Sequence, residues 1–200
     1  MREAVAVIEL TLAGSTGPGK VAVTDRPLDP ARSRVVEHTA HQVADREDAD
    51  HLVVGDDGQN LRHNVDVGGT TLVDTPLNYT PGVAATGITA AAYTNNDLDS
   101  NTATSLSDID TTVDQVVLQS PPNSGTLAAT GKTAVDATGD AGFDIYSFVV
   151  NGRTRSNLGF AVASSGNVSR FYSVNLLTGR LTLMGRFATD VIDIAVPLAQ

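Results

Sequence analysis

Asp144 and Asp193 occupy matching places in two short apolar runs, Phe143-Asp144-Ile145 and Ile192-Asp193-Ile194. If those runs line a channel, the two carboxylates could converge on a ligand, hold a cation, or divide acid and base work between them. Recurrence favours a plainer role, a structural aspartate whose oxygens accept backbone N–H groups from the next segment. A second acidic set, Asp97, Asp99 and Asn101, has the alternating spacing that opens a calcium loop, and Asp108 falls at the twelfth position, where a carboxylate closes the shell. Against calcium, Thr102 stands where the loop needs glycine and the closing residue is Asp instead of the longer Glu. An acidic connector between strands is the preferred reading, and calcium is the one cofactor these residues suggest.

Other candidate chemistry fails on spacing. His38 and His41 are placed to face one metal if their segment is helical, with Asp45 or Glu47 to add a carboxylate, but no zinc signature follows them. Together with His51 and His63 they read as solvated histidines. Gly14-Ser15-Thr16-Gly17-Pro18-Gly19-Lys20 resembles a phosphate loop, yet Val21 replaces the hydroxyl that would bind magnesium, and Val21-Ala22-Val23-Thr24 reads as strand instead of helix. There is no cysteine, hence no thiolate site, and no Gly-x-Ser-x-Gly elbow. No catalytic residue is assigned, and the sequence leans away from an enzyme.

The elements that would position these residues are strands. Acids comprise 19 Asp and 4 Glu, and bases 11 Arg with Lys20 and Lys132. Asp favours turns and caps, whereas Glu and Lys fill exposed helix faces, so the bias points away from helical surfaces. The net charge of -10 excludes a protein that tracks a nucleic-acid backbone, which needs positive potential. No apolar run reaches the roughly 18 residues of a membrane span. Glu3 and Glu9 interrupt what a signal peptide would keep uncharged, so the N-terminus reads as a strand.

Three segments share one hairpin plan. His51 to Gly55 leads to Asn60 through Gly68 and then Thr70 to Val73; Asp114 to Gln119 turns through Pro121-Pro122-Asn123-Ser124-Gly125; Phe171 to Val174 turns through Asn175-Leu176-Leu177-Thr178-Gly179. Each turn ends at a glycine, where positive φ costs least. A short apolar strand follows each hairpin, at Ile88 to Tyr93, at Phe143 to Ile145 and at Ile192 to Val196. Further strands precede the second and third hairpins near Leu106 to Ile109 and Gly159 to Val162. Four antiparallel strands per period of about 50 residues predict an all-β fold of propeller-like blades, with a β-sandwich as the rival. Phe143, Ile145, Ile192, Ile194, Leu183 and Val117 are the expected core. Residues 51–200 form the repeat domain of three blades. Residues 1–50 form a poorly defined N-terminal segment, either beyond a domain edge or a degenerate blade, in which Val5 to Leu12 and Lys20 to Thr24 make one hairpin, so the array is expected to be incomplete and either to self-associate through its open edge or to be marginally stable.

Gly58-Gln59-Asn60-Leu61-Arg62, the following Asn64-Val65-Asp66-Val67-Gly68, and Gln119-Ser120-Pro121-Pro122-Asn123-Ser124-Gly125-Thr126-Leu127 carry a family resemblance. On these residues the chain, over about 50–196, resembles DUF4394, a bacterial domain family of unknown function, with the family's N-terminal part missing or altered. The resemblance implies a propeller-like β domain, extracellular or at the cell surface, with no catalytic residues to carry over. The expected function is a non-enzymatic binding or structural module with a protein or glycan ligand; the alternative is a propeller hydrolase or lyase using a channel-bound cation.

Overall fold

The computed structural model describes residues 4–8, 21–25, 35–36, 50–64, 67–95, 103–166 and 168–196, those up to 50 as backbone only. Among them there is no α-helix, and no helix long and apolar enough to cross a membrane. β1 (Ala4–Ile8) and β2 (Val21–Asp25) form the expected N-terminal antiparallel hairpin, with Val5 opposite Thr24.

Three four-stranded sheets follow, each an antiparallel meander whose strands lie side by side in chain order. The first holds β3 (Val35–Val36), β4 (Asp50–Gly55), β5 (Asn60–Asn64) and β6 (Thr71–Val73). A two-stranded hairpin, β7 (Asn78–Thr80) and β8 (Val83–Ala84), leads to the second sheet: β9 (Ile88–Tyr93), β10 (Leu106–Asp110), β11 (Gln115–Gln119) and β12 (Leu127–Lys132). The third holds β13 (Ala141–Val150), β14 (Arg153–Ser164), β15 (Ser169–Val174) and β16 (Leu181–Arg186). Finally β17 (Val191–Ala195) runs parallel to β1, which joins it to β2 in a sheet shared by both ends of the chain. Strands on either side of residue 50 therefore share sheets, β3 beside β4 and β1 beside β17.

The period-two alternation of the strands decides where the core lies. On β10 every residue is buried, so both faces of the second sheet are covered. Ile109 and Val116 look one way, into a cluster with Phe143, Ile145, Ala161 and Tyr172 of the third sheet. Leu106 and Val117 look the other way, towards Leu52 and Val54 of the first sheet and Leu77. A third cluster packs Phe160 and Val162 against Val191 and Ile194 of β17. Four of the six expected core residues thus divide among three clusters instead of sharing one: Phe143 and Ile145 in the first, Val117 in the second and Ile194 in the third. Leu183 is a correction: it is 51% exposed, because β16 is the outer strand of its sheet. Ile192 is only partly buried. The closing glycines at 68, 125 and 179 all take positive φ, as the turns require.

Candidate functional site

Asp144 and Asp193 lie on β13 and β17, which pack against each other so closely at Gly142 that a Cβ there would come within 2.4 Å of the Asp193 Cα. Only glycine fits at that point, and its absence of side chain is what lets the two aspartate-bearing strands approach. The two aspartates repeat one local geometry. Asp144 Oδ1 accepts the N–H of Ile145 at 2.7 Å, and Asp193 Oδ1 accepts the N–H of Ile194 at 2.8 Å. Asp144 Oδ2 reaches further and accepts the N–H of Val196, just past β17, at 2.6 Å. Burial raises the Asp144 carboxyl to about 6; the two N–H donors act against this, and the negative charge of Asp193 adds to it. Burial likewise raises Asp193 to about 6, opposed by the Ile194 N–H. The pair is therefore close enough to interact, and Asp144 ties one strand to the next segment.

Asp108 behaves differently. It is 0% exposed on β10, opposite Val117 and Ala91, and neither of its oxygens has a hydrogen-bond donor. Burial alone holds its pKa well above the ordinary carboxylate value. Two residues on, Asp110 is fully engaged: Oδ1 accepts the N–H groups of Thr112 and Val113, and Oδ2 accepts the Tyr79 hydroxyl at 2.6 Å. Tyr79 in turn accepts from Gln115 Nε2, and burial raises its pKa. Tyr93 is pushed up to about 12 by burial and by the Asp108 charge. The companions proposed for Asp108 in a calcium loop, Asp97, Asp99 and Asn101, lie outside the described residues, as do His38, His41, Asp45, Glu47 and the Gly14 to Lys20 loop. His63 Nδ1 lies 2.9 Å from Thr71 Oγ1. Among the described residues no group of three or more His, Asp or Glu is placed to hold a metal. A shallow depression of about 300 Å³ opens beside Val113, Asp114, Lys132 and Val135, and neither Asp144 nor Asp193 lines it.

The most developed polar constellation is one that chemistry-led reading passes over. Asn60, buried at the start of β5, donates from Nδ2 to the carbonyls of Thr75 (3.1 Å) and Pro122 (2.9 Å). Gln119, also buried, donates to Pro122 O at 2.7 Å and to Asn60 Oδ1 at 3.3 Å. Asn78 completes the grip, donating from Nδ2 to Pro76 O and Ser124 O. The turn they hold is Pro121 to Gly125, a short 3-10 turn over Pro122–Ser124. It sits so tightly that a Cβ on Gly125, whose φ is 59°, would come within 2.5 Å of the Thr75 and Pro76 carbonyl oxygens. Next to Asn60 on the strand, Arg62 forms a two-point ion pair with Asp74, Nε to Oδ2 at 2.7 Å and Nη2 to Oδ1 at 3.0 Å.

Asn60 and Arg62 belong to one motif and Gln119 to Gly125 to another, so two stretches some sixty residues apart in sequence meet through side-chain amides. Both fall within residues 47–195, which match the family model described as Domain of unknown function (DUF4394). No curated protein and no solved structure matches the chain. Since the matched span takes in all three four-stranded sheets except β3, as well as the contact between the two motifs, the chain belongs to the DUF4394 family.

Proposed function

We propose that the chain is a non-enzymatic binding or structural module made of propeller-like blades and acting outside the cytoplasm, with a protein or glycan as its ligand. In this reading the three meanders are blades, and the β17–β1–β2 sheet brings the chain ends together. The extracytoplasmic setting follows the family resemblance. The observation that carries the reading is the use made of Asp144: both of its oxygens are taken by backbone N–H groups, one of them across to Val196. A carboxylate spent in this way sets the spacing of two strands and has little capacity left for a substrate.

The alternative, a hydrolase or lyase with a channel-bound cation, draws on one observation: both carboxylates titrate near 6, the range of a general acid. Metal analysis of the purified protein, a substrate panel run with and without calcium, and a thermal-shift screen of glycans and peptides separate the two. The expected result is a ligand that raises Tm equally in the wild type and in Asp144→Asn. Metal-dependent turnover that disappears in both Asp144→Asn and Asp193→Asn would overturn the binding-module reading in favour of the enzyme.

A further inference from the structure

Between Asp144 and Asp190 there is no acidic residue, while Arg153, Arg155, Arg170, Arg180 and Arg186 all fall there, in a chain of net charge -10. Two of these arginines stand on a feature the core does not need. β13 and β14 pair along almost their full length, out to Val150 opposite Arg153, and are closed by Asn151 and Gly152, both at positive φ as a tight two-residue hairpin turn demands. β15 pairs only with Gly159 to Ser164 of β14. Residues 153–158 therefore have β13 on one side and, among the described residues, no strand on the other. That open side carries a row of backbone donors and acceptors at strand spacing.

The side chains of this ribbon face water. Arg153, Arg155 and Asn157 are exposed, with Leu158 46% and Phe148 37% exposed. Neither arginine has an ion pair or hydrogen bond among the described residues, although the guanidinium fork suits a carboxylate at two points. The ribbon is nevertheless held in place. Asn95 donates its N–H to Ser147 Oγ at 2.7 Å and accepts from Thr154 Oγ1 at 2.6 Å, while Ser147 Oγ donates to Asn157 Oδ1 at 2.7 Å. A fixed edge loses less freedom on binding than a mobile one.

We propose that the edge of residues 153–158, open among the described residues, docks an extended acidic polypeptide segment from another protein, which adds a strand beside β14 and sets its carboxylates against Arg153 and Arg155. The inference rests on the binding-module reading and names its partner. An anionic glycan would satisfy the arginines but not the row of backbone groups, whereas a strand satisfies both. The register of β13 against β14 shifts between Phe148 and Val149, which face Ser156 and Thr154, so Arg155 is the extra residue of a bulge between them; the partner is defined by its extended backbone and its carboxylates, not by a fixed spacing of its acids.

The test uses the full chain and a labelled peptide of alternating Asp and Val, read by fluorescence anisotropy. Controls are a peptide of alternating Lys and Val, and heparin. The acidic peptide is expected to bind and to slow hydrogen exchange of amides within residues 153–158; Arg153→Glu combined with Arg155→Glu should weaken it by at least about tenfold, the loss of roughly one charge-assisted contact. An unchanged circular dichroism melt shows that the double variant still folds. Absence of binding, equal binding by the double variant, the basic peptide or heparin binding as well as the acidic peptide, or binding without exchange protection would each overturn the inference. If a different ligand then emerges from the thermal-shift screen, the binding-module reading survives and the ribbon alone is eliminated.

Discussion

Where the second sheet meets the first, side-chain amides grip a hairpin turn, and a carboxylate, Asp108, is sealed beside Leu106 and Val117 without a donor. Where the same sheet meets the third, the contact is made of alanines (Ala90, Ala92, Ala141, Ala161, Ala163) fitted around Phe143 and Ile145. The small residues let the sheets come close, and the two large ones fill the space that remains. One interface thus takes its specificity from hydrogen-bond geometry, and the other from volume. That difference has energetic consequences of different kind and size.

The largest effect should come from the apolar side. Phe143 is fully buried at its centre, and Phe143→Ala removes most of its packed volume while the alanines around it cannot collapse into the gap. A loss of about 3–5 kcal/mol is expected in urea unfolding at constant m-value. A loss under about 1 kcal/mol would mean that the third sheet is not held there.

The polar interface should be less costly to damage, and the damage should depend on chemistry instead of size. Asn60→Asp keeps the shape but removes both donors, taking the Asn60 bond from the Thr75 carbonyl, leaving the Pro122 carbonyl only Gln119 and the Gly125 N–H, and placing a charge in a buried site. Asn60→Ala also takes away the longer of the two acceptors of Gln119, which keeps the Pro122 carbonyl, and each buried group left without a partner costs about 1–3 kcal/mol. If Asn60→Asp unfolded at the wild-type midpoint at pH 7, the amide grip would not be what fixes the turn.

How far the sequence exposes each region follows from the same contrast. The strand plan was readable because glycine-closed turns and period-two burial leave marks in the chain: β9 falls at Ile88–Tyr93, as the apolar run predicts, and the three hairpins fall where their glycines place them. The core was less readable, since alternation gives the buried face but not which sheet covers it; Val117 and Phe143 were expected together and lie in different clusters. Asp144 and Asp193 were recognisable by recurrence, and the preferred reading of a backbone acceptor fits Asp144, whose Oδ2 takes the Val196 N–H. The Asn60 grip left only motif identity in the sequence. An asparagine inside a polar strand does not announce that its partner is a carbonyl in a turn some sixty residues away.

Asp108 gives a pH signature to the first interface. Its folded pKa lies well above 3.8, so the folded chain keeps a proton that the unfolded chain releases. The stability this provides is complete below pH 3.8 and is lost as pH rises through the folded value. Asp108→Asn removes the titration without removing the shape. The variant should therefore gain on the wild type steadily as unfolding is followed from pH 4 to 8, and parallel curves would show that Asp108 does not titrate on folding.

The smallest effect concerns the pair on β13 and β17, and it distinguishes a structural tie from a coupled site. Both carboxylates sit at about 6, above their unfolded value of 3.8, so each contributes stability that is full below pH 3.8 and lost as pH rises through 6. Burial is the main cause for both, and only Asp144 carries an added contribution from its neighbour's charge. Asp193→Asn takes that charge away while leaving the Val196 and Ile145 donors in place, so Asp144 should titrate at a lower pH, and the loss of stability it causes, which starts at its unfolded value, should be smaller and complete at a lower pH. Carboxyl carbon NMR of Asp144 in the wild type and in Asp193→Asn measures this directly. A fall in the Asp144 midpoint would identify two carboxylates that sense each other across Gly142, while an unchanged midpoint would leave burial as the whole cause and Asp144 as a strut that owes nothing to Asp193.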